Sequence, residues 1–335
     1  MHAENFLGDT SHAFNETPVS VILTVVNEAA YLEESIKAVL NSNYYGAIEI
    51  AIAVGPSKDD TREIAEVLAK GDKRIRVIEN PSGRTPDGLN SAIASTRHEI
   101  IVRVDGHSSI DPDYIREAVR TLEETGAVNV GGVMAAVGST NFQKTVARAM
   151  RSWIGVGASR FHTGGSAGSV DTVYLGVFKR TAVEQVGGYD NRFTRAQDWE
   201  MNFRLRENGG VIWFNPNLTV TYRPRSTFKA LSKQYFEYGR WRAAVARHHK
   251  GTANFRYLAP PLNLVLQLLS IVSGFLFSPI FFIPPIAYLS LIFFASLMIG
   301  KSWAERVRLP LVLIIMHFSW GIGFITSPRT LISNS

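Results

Sequence analysis

The chain has 335 residues, of which 46% are hydrophobic and 19% charged, and it contains no cysteine. This composition supports one large domain or two ordinary ones, and it excludes extensive disorder, disulfides, thiolate metal sites and a cysteine nucleophile. The net charge of +6 is uneven: from residue 226 onward eleven Lys/Arg face only Glu237 and Glu305, while residues 1–225 carry 24 Lys/Arg against 27 Asp/Glu. The basic third is also the apolar third, so the charge points to a membrane surface and away from nucleic acid.

Residues 1–17 include Glu4, Asp9 and Glu16 and have no apolar run, so they read as a flexible arm without an export signal. The domain that follows is therefore expected to stay in the cytoplasm. Residues 19–26 form a β-branched run that predicts a strand, followed by Asn27-Glu28. Helical spacing over 31–40 places Leu32, Ile36, Val39 and Leu40 on one face. Strands are then predicted at 48–54, 76–78 and 99–104, and helices at 60–70 and 87–95. This alternation predicts an α/β fold with a mainly parallel sheet flanked by helices, and ligands in such sheets bind beyond the carboxyl ends of the strands. Asn27-Glu28, residues 57–61 and residues 105–107 all fall at such ends. Residues 126–180 are glycine-rich and weakly periodic, which predicts loops mixed with strands and a place for an acceptor site.

Residues 226–256 carry Phe228, Leu231, Tyr235, Phe236, Tyr238 and Trp241 among basic side chains, a mixture suited to an amphipathic helix in the membrane interface. No charge occurs over 257–300 or over 309–328, and a span needs roughly 20 apolar residues, so three transmembrane helices are expected over 257–328. Lys301, Arg306 and Arg308 lie between the second and third, which by the positive-inside rule puts that loop in the cytoplasm and Ser335 outside. The alternative is a very apolar soluble helical unit.

Asp105-Gly106-His107 follows a predicted strand, where an exposed carboxylate can ligate a divalent cation that also grips a diphosphate, with His107 as a second ligand or hydrogen-bond partner. Asn27, Glu28, Ser57, Asp59 and Thr61 are ligand-loop candidates, although Asp59 or Asp60 can equally cap the next helix. Arg84 is a candidate phosphate contact or a solvated loop arginine. Asp198 begins a helix, where a carboxylate suits either capping or deprotonating a hydroxyl, with Glu200 close by. Arg240-Trp241 stands just before the apolar region, where cation and aromatic also serve as interfacial anchors.

Several stretches in order carry a resemblance over residues 19–242: Thr24-Val25-Val26-Asn27-Glu28, 57–61, Thr85-Pro86-Asp87-Gly88-Leu89-Asn90, Val102-Arg103-Val104-Asp105-Gly106-His107, Val186-Gly187-Gly188-Tyr189-Asp190, Gln197-Asp198 and Tyr238-Gly239-Arg240-Trp241-Arg242. This ordered set resembles the inverting glycosyltransferases of family 2, and within them the ExoA-type enzymes of succinoglycan and related polysaccharide synthesis. The resemblance implies a GT-A fold over 18–225, a nucleotide-sugar donor with UDP favoured, a lipid-linked saccharide acceptor and Mg²⁺ or Mn²⁺. It also implies that Asp105 is the metal-binding Asp of a D-x-D motif, that Asp198 is the base, and that Arg240 and Trp241 are the R-W of a Q-x-x-R-W motif. Three departures stand out. His107 replaces the second Asp, Glu237 takes the Gln position, and Gly55-Pro56 stands where many relatives carry the Asp-Gly that reads uracil, which leaves the base open. The rival readings are a polyprenyl-phosphate hexosyltransferase and a catalytically silent membrane scaffold.

Overall fold

The computed structural model describes residues 16–332, so nearly all of the expected arm, and Ser335, lie outside the described residues. The strands are β1 (Val19–Val25), β2 (Ile48–Val54), β3 (Ile75–Glu79), β4 (Ile100–Arg103), β5 (Ser109–Ile110), β6 (Asn129–Ala136), β7 (Gly168–Ser169), β8 (Tyr174–Lys179) and β9 (Ile212–Tyr222). They form one sheet in the order β3-β2-β1-β4-β8-β6-β9-β5, with β7 paired to β9. β3, β2, β1 and β4 run parallel, β8 is antiparallel to both of its neighbours, and β9 is parallel to β6. The sheet is thus mixed, as expected.

The parallel half is covered on both faces, which is why its strands read as continuous apolar runs. Val19, Val21, Leu23 and Val25 pack with Ile50, Ile52 and Val54 against the helices Leu32–Leu40, Thr61–Gly71 and Tyr114–Thr125. On the opposite face Ile22, Ala51, Ala53 and Ile101 meet the helices Thr85–Ala94 and Gln197–Glu207. Ala51 and Ala53 leave room for Thr85–Ala94 to come close. Gly88 completes that approach, because a Cβ there would lie 2.2 Å from the Thr24 hydroxyl. Each buried Val, Ile or Leu contributes roughly 1.5–3 kcal/mol.

Residues 126–180 hold more regular structure than their composition suggests. Thr140 and Gln143 form a reciprocal capping box that starts a helix, Asn141–Met150. The Thr-x-x-Gln spacing was present in the sequence, but glycine content obscured it.

Helices Phe255–Leu276, Pro279–Ile299 (its first turn 3₁₀) and Trp303–Ile325 are long and apolar enough to cross a membrane. The first two expose most of their large side chains, including Leu268, Leu269, Phe275, Phe294 and Met298. The third is different. Leu309, Val312, Leu313 and Met316 are buried in a core shared with Met134, Val146, Met150, Leu231 and Tyr235.

The helix Phe228–His248 does not present a free amphipathic face; it lies against this third apolar helix. Gly239 and Gly323 make the approach possible, since a Cβ at Gly239 would lie 2.1 Å from the Trp320 carbonyl oxygen and one at Gly323 would lie 2.0 Å from that of Phe236. Ser232 and Ser319 hydrogen-bond across the contact at 2.9 Å.

Both ends of the third apolar helix are tied to the same body. At its start Glu305 faces Arg148 at 3.6 Å, and beyond its end Ser327 donates to the Arg240 carbonyl at 2.8 Å. The third helix thus keeps the length and composition of a span while burying one face against the rest of the protein, which hydropathy alone does not report.

Two outcomes follow. Gly239→Leu forces overpacking at a backbone contact and is expected to cost about 1–3 kcal/mol, read as a lowered melting temperature in detergent; an unchanged melt would place the two helices apart. Reporter fusions within residues 301–302 and after Ser335 are expected to report opposite sides of the membrane, as three spans require, and the same side would remove the third span.

Candidate active site

The chain reverses at the carboxyl ends of β1, β2 and β4, and the loops there are fastened to one another. Asn27 adopts a left-handed backbone, φ 56, and directs its amide into the β2 loop. Its Oδ1 accepts from the Lys58 N–H at 2.8 Å, and its own N–H donates to the Ser57 hydroxyl at 3.1 Å. The Glu28 N–H donates to the Thr61 hydroxyl at 2.8 Å, and the Ala29 N–H to Asp59 Oδ2 at 3.1 Å. Asp59 also accepts from the Thr61 hydroxyl and N–H, and these bonds, the hydroxyl's first, lower its pKa. Thus Asn27, Ser57 and Asp59 form a latch between two loops, and Thr61 belongs to it.

The latch fixes Glu28, whose Oε1 lies 2.9 Å from His107 Nδ1. That hydrogen bond is the main cause of a raised His107 pKa, against the opposing effect of burial. Gly106 lets the β4 loop settle on β1, because a Cβ there would lie 2.6 Å from Val25 Cγ1.

At the centre stands Arg103, the last residue of β4, which is 3% exposed. Its Nη2 donates to Asp105 Oδ1 at 3.1 Å, and its Nη1 forms a very short ion pair with Asp198 Oδ1. A single guanidinium therefore joins the carboxylate at the strand end to the carboxylate at the start of the helix Gln197–Glu207. The other Asp105 oxygen faces the Tyr174 hydroxyl at 3.4 Å. The Tyr189 ring lies beneath the guanidinium, 5.9 Å from its centre. Tyr189 is placed by Asn90, which accepts from its N–H at 2.8 Å and donates to its carbonyl at 2.7 Å. Two separate sequence stretches, 85–90 and 186–190, are thereby coupled to Asp105 and Asp198.

The two helix-start carboxylates separate cleanly. Asp198 makes no capping bond, because the helix begins at a left-handed Ala196, φ 59, with no side-chain cap. It stays partly exposed and faces Arg103. Glu200 is fully buried, accepts two hydrogen bonds from Arg204, each at 2.7 Å, and lies 3.1 Å from His249 Nε2. Arg204 also donates to the carbonyls of Val186 and Gly188. Glu200 is thus committed to the internal structure of its helix.

Other sequence candidates stand further from the centre. Arg84 is tied to Asp87 at 2.8 Å, three residues on. Arg240 pairs with Glu237 at 2.9 Å. Trp241 is buried against Phe193, with Leu331 and Ile332 packed on the same cluster. Arg103, Tyr174 and Tyr189 were not singled out from the sequence. Arg103 carried a signal nonetheless, as the one charge inside the apolar run Ile100-Ile101-Val102-Arg103-Val104.

Comparison with known proteins agrees with this arrangement. The family model for glycosyl transferase family 2 matches residues 20–187. The chain is 29% identical over 320 residues, 94% of its length and 96% of the relative's, to the succinoglycan biosynthesis protein ExoA of Rhizobium meliloti (strain 1021). It is 26% identical over 315 residues, covering 91% of this chain and 95% of the relative, to a Methanococcus voltae enzyme named dolichyl N-acetyl-alpha-D-glucosaminyl phosphate 3-beta-D-2,3-diacetamido-2,3-dideoxy-beta-D-glucuronosyltransferase. Among solved structures it resembles the mannosyltransferase PcManGT of Pyrobaculum calidifontis, in complex with GDP-Man and Mn²⁺, with a TM-score of 0.63 at 19% identity over 92% of this chain and 87% of that one. The sheet order, the ordered motifs and the family match lead to one conclusion: the chain belongs to glycosyl transferase family 2, with the GT-A fold.

Proposed function

We propose that this glycosyltransferase moves a sugar from a nucleotide-sugar donor to a lipid-linked saccharide, with inversion at the anomeric carbon, at the cytoplasmic face of a cell membrane. The observation that carries the reading is the pair Asp105 and Asp198 held on either side of one buried arginine. In this reading Asp105 is the donor-side and Asp198 the acceptor-side carboxylate, and their shared pairing to Arg103 at the carboxyl edge of the sheet supports it. The relative's name, with its dolichyl phosphate-linked sugar, supports a lipid-linked acceptor, and the exposed apolar helices support membrane attachment.

In this mechanism Asp198 accepts the proton of the acceptor hydroxyl as its oxygen attacks the anomeric carbon. The bond from that carbon to the diphosphate oxygen breaks, and the nucleoside diphosphate leaves with the bonding pair. Attack comes from the face opposite the leaving group, so an α-linked donor gives a β-linked product. General-base assistance of this kind contributes about 10²–10⁴ in rate.

Asp105 suits a divalent cation of the Mg²⁺ or Mn²⁺ class. Its carboxylate is 24% exposed, and among the described residues no group of three His, Cys, Asp or Glu side chains forms a complete cage. Such a site fits an ion that takes one or two protein ligands and completes its shell with diphosphate oxygens and water. His107 Nδ1 is engaged by Glu28, which leaves Nε2 as its only possible ligand atom. When bound, the cation would neutralise charge on the departing diphosphate. A UDP-sugar remains the donor favoured by the sequence, and the GDP-Man bound to PcManGT makes GDP-mannose the first competitor to test.

Two experiments test this reading. Asp198→Asn is expected to lower turnover about 10²–10⁴-fold, with stability falling by about 1–3 kcal/mol through loss of a charge-assisted partner for Arg103. Glu200→Gln should do the reverse, costing about 3–5 kcal/mol through a broken buried pair. Near-normal turnover in the Asp198→Asn enzyme would remove the base and favour a phosphate acceptor, which needs none. Separately, EDTA and Asp105→Ala should each nearly abolish transfer from any accepted nucleotide sugar. Full activity under both conditions would refute a metal site at Asp105.

A further inference from the structure

Arg242 lies two residues beyond Arg240, on the side of the helix Phe228–His248 that faces Trp199. It is 4% exposed, and its guanidinium carbon sits 3.9 Å from the Trp199 ring centre and 3.7 Å from that of Tyr257. Only Nη2 has a hydrogen-bond partner, the Thr252 carbonyl. Nε and Nη1 are buried without one. Among the described residues no carboxylate forms an ion pair with it.

Its charged neighbours are cations. The Arg256 guanidinium lies 4.7 Å from the same Tyr257 ring. Arg206 reaches the nearest acid, the exposed Asp171, only at 4.0 Å. Burial first, and then repulsion from Arg256 and Arg206, bring Arg242 down to about 10, against attraction from Tyr257 and Asp171. His162, buried with an unpartnered Nδ1, is held neutral by burial and by Arg256 and supplies no counter-charge. A dry cation with unsatisfied donors and like-charged neighbours is costly unless an anion joins it.

The place suggests which anion. Trp199 directly follows Asp198, the proposed base. Tyr257 lies in the first turn of the first apolar helix, stacked on Trp320 with ring centres 6.5 Å apart. A guanidinium without a carboxylate counter-ion thus stands between the reacting end of the site and the start of the first apolar helix.

We propose that Arg242, with Arg256 and Arg206, forms a receptor for the phosphate or diphosphate that joins an acceptor sugar to its lipid, with Trp199 and Tyr257 as its walls. This rests on the lipid-linked acceptor reading given above. The nucleotide diphosphate is served separately at Asp105, so one site takes each anion.

The test is direct binding to the full-length protein in neutral detergent, without turnover, using farnesyl diphosphate, farnesol and inorganic pyrophosphate as probes. Farnesyl diphosphate should bind saturably. Farnesol should bind at least about tenfold more weakly, and Arg242→Gln and Arg256→Gln should each weaken farnesyl diphosphate by about tenfold or more. Arg242→Lys should recover part of the loss. Melting temperatures report the fold of each variant, and Arg256→Gln, at a half-exposed residue, decides the matter if Arg242→Gln does not fold. Unchanged farnesyl diphosphate affinity in the folded variants overturns the proposal. Pyrophosphate binding as tightly as farnesyl diphosphate, with the same arginine dependence, overturns the lipid as the source of the anion. A protein that binds farnesyl diphosphate through these arginines yet transfers no sugar would refute the transferase reading and leave the receptor standing. A transferase active on a neutral acceptor without such binding would do the opposite.

Discussion

Burying a guanidinium costs several kcal/mol unless anions surround it. At the end of β4 that cost falls on Arg103, and the chain meets it with two carboxylates drawn from distant parts of the sequence. Much of the site's geometry depends on this. Asp105 cannot drift from the strand end without stripping Nη2 of its carboxylate, and the helix carrying Asp198 cannot swing away without doing the same to Nη1. The three side chains together carry one net negative charge. That leaves an attraction for a cation, with the Tyr174 hydroxyl beside Asp105 and the Tyr189 ring beside Arg103.

The loops around this centre are arranged to hold still. The latch formed by Asn27, Ser57, Asp59 and Thr61 consists of hydrogen bonds between two loops with no ligand needed to close it. Its structural result is the position of Glu28, and through Glu28 that of His107. These ligand-loop residues therefore also fix the side chains beside Asp105. The same holds for Asn90, whose amide sets Tyr189 and thereby the surface on which Arg103 lies.

The sequence disclosed the parallel half of the fold almost element by element, because β1, β2 and β4 are buried on both faces and their composition says so. Asp105 and Asp198 were legible because carboxylates at a strand end and a helix start have few reasons to be there. Arg103 was passed over inside a run that reads as apolar, since hydropathy averages over a single charge. The ion pair that orients Arg84, to Asp87 three residues on, was not read from the sequence, because spacing alone does not show which loop side chains meet. The third apolar helix was legible by length and composition, but its packing on Phe228–His248 was not: lipid and a protein core demand the same side chains, and the close backbone approach at Gly239 and Gly323 leaves no mark in hydropathy.

The apolar helices reach the neighbourhood of the site through one helix. The helix Phe228–His248 carries Arg240, Trp241 and Arg242 on successive positions, about 100° apart around its axis, so they face three different directions. Arg240 turns toward Glu237 and the strap at Ser327, Trp241 toward Phe193, and Arg242 toward Trp199 and Tyr257. The third apolar helix packs against this helix at Gly239 and Gly323, and the first turn of the first apolar helix meets both, with Tyr257 stacked on Trp320 and beside Arg242. Trp199, Arg242 and Tyr257 therefore form one side-chain stack that joins the first turn of the first apolar helix to the first turn of the helix that bears Asp198.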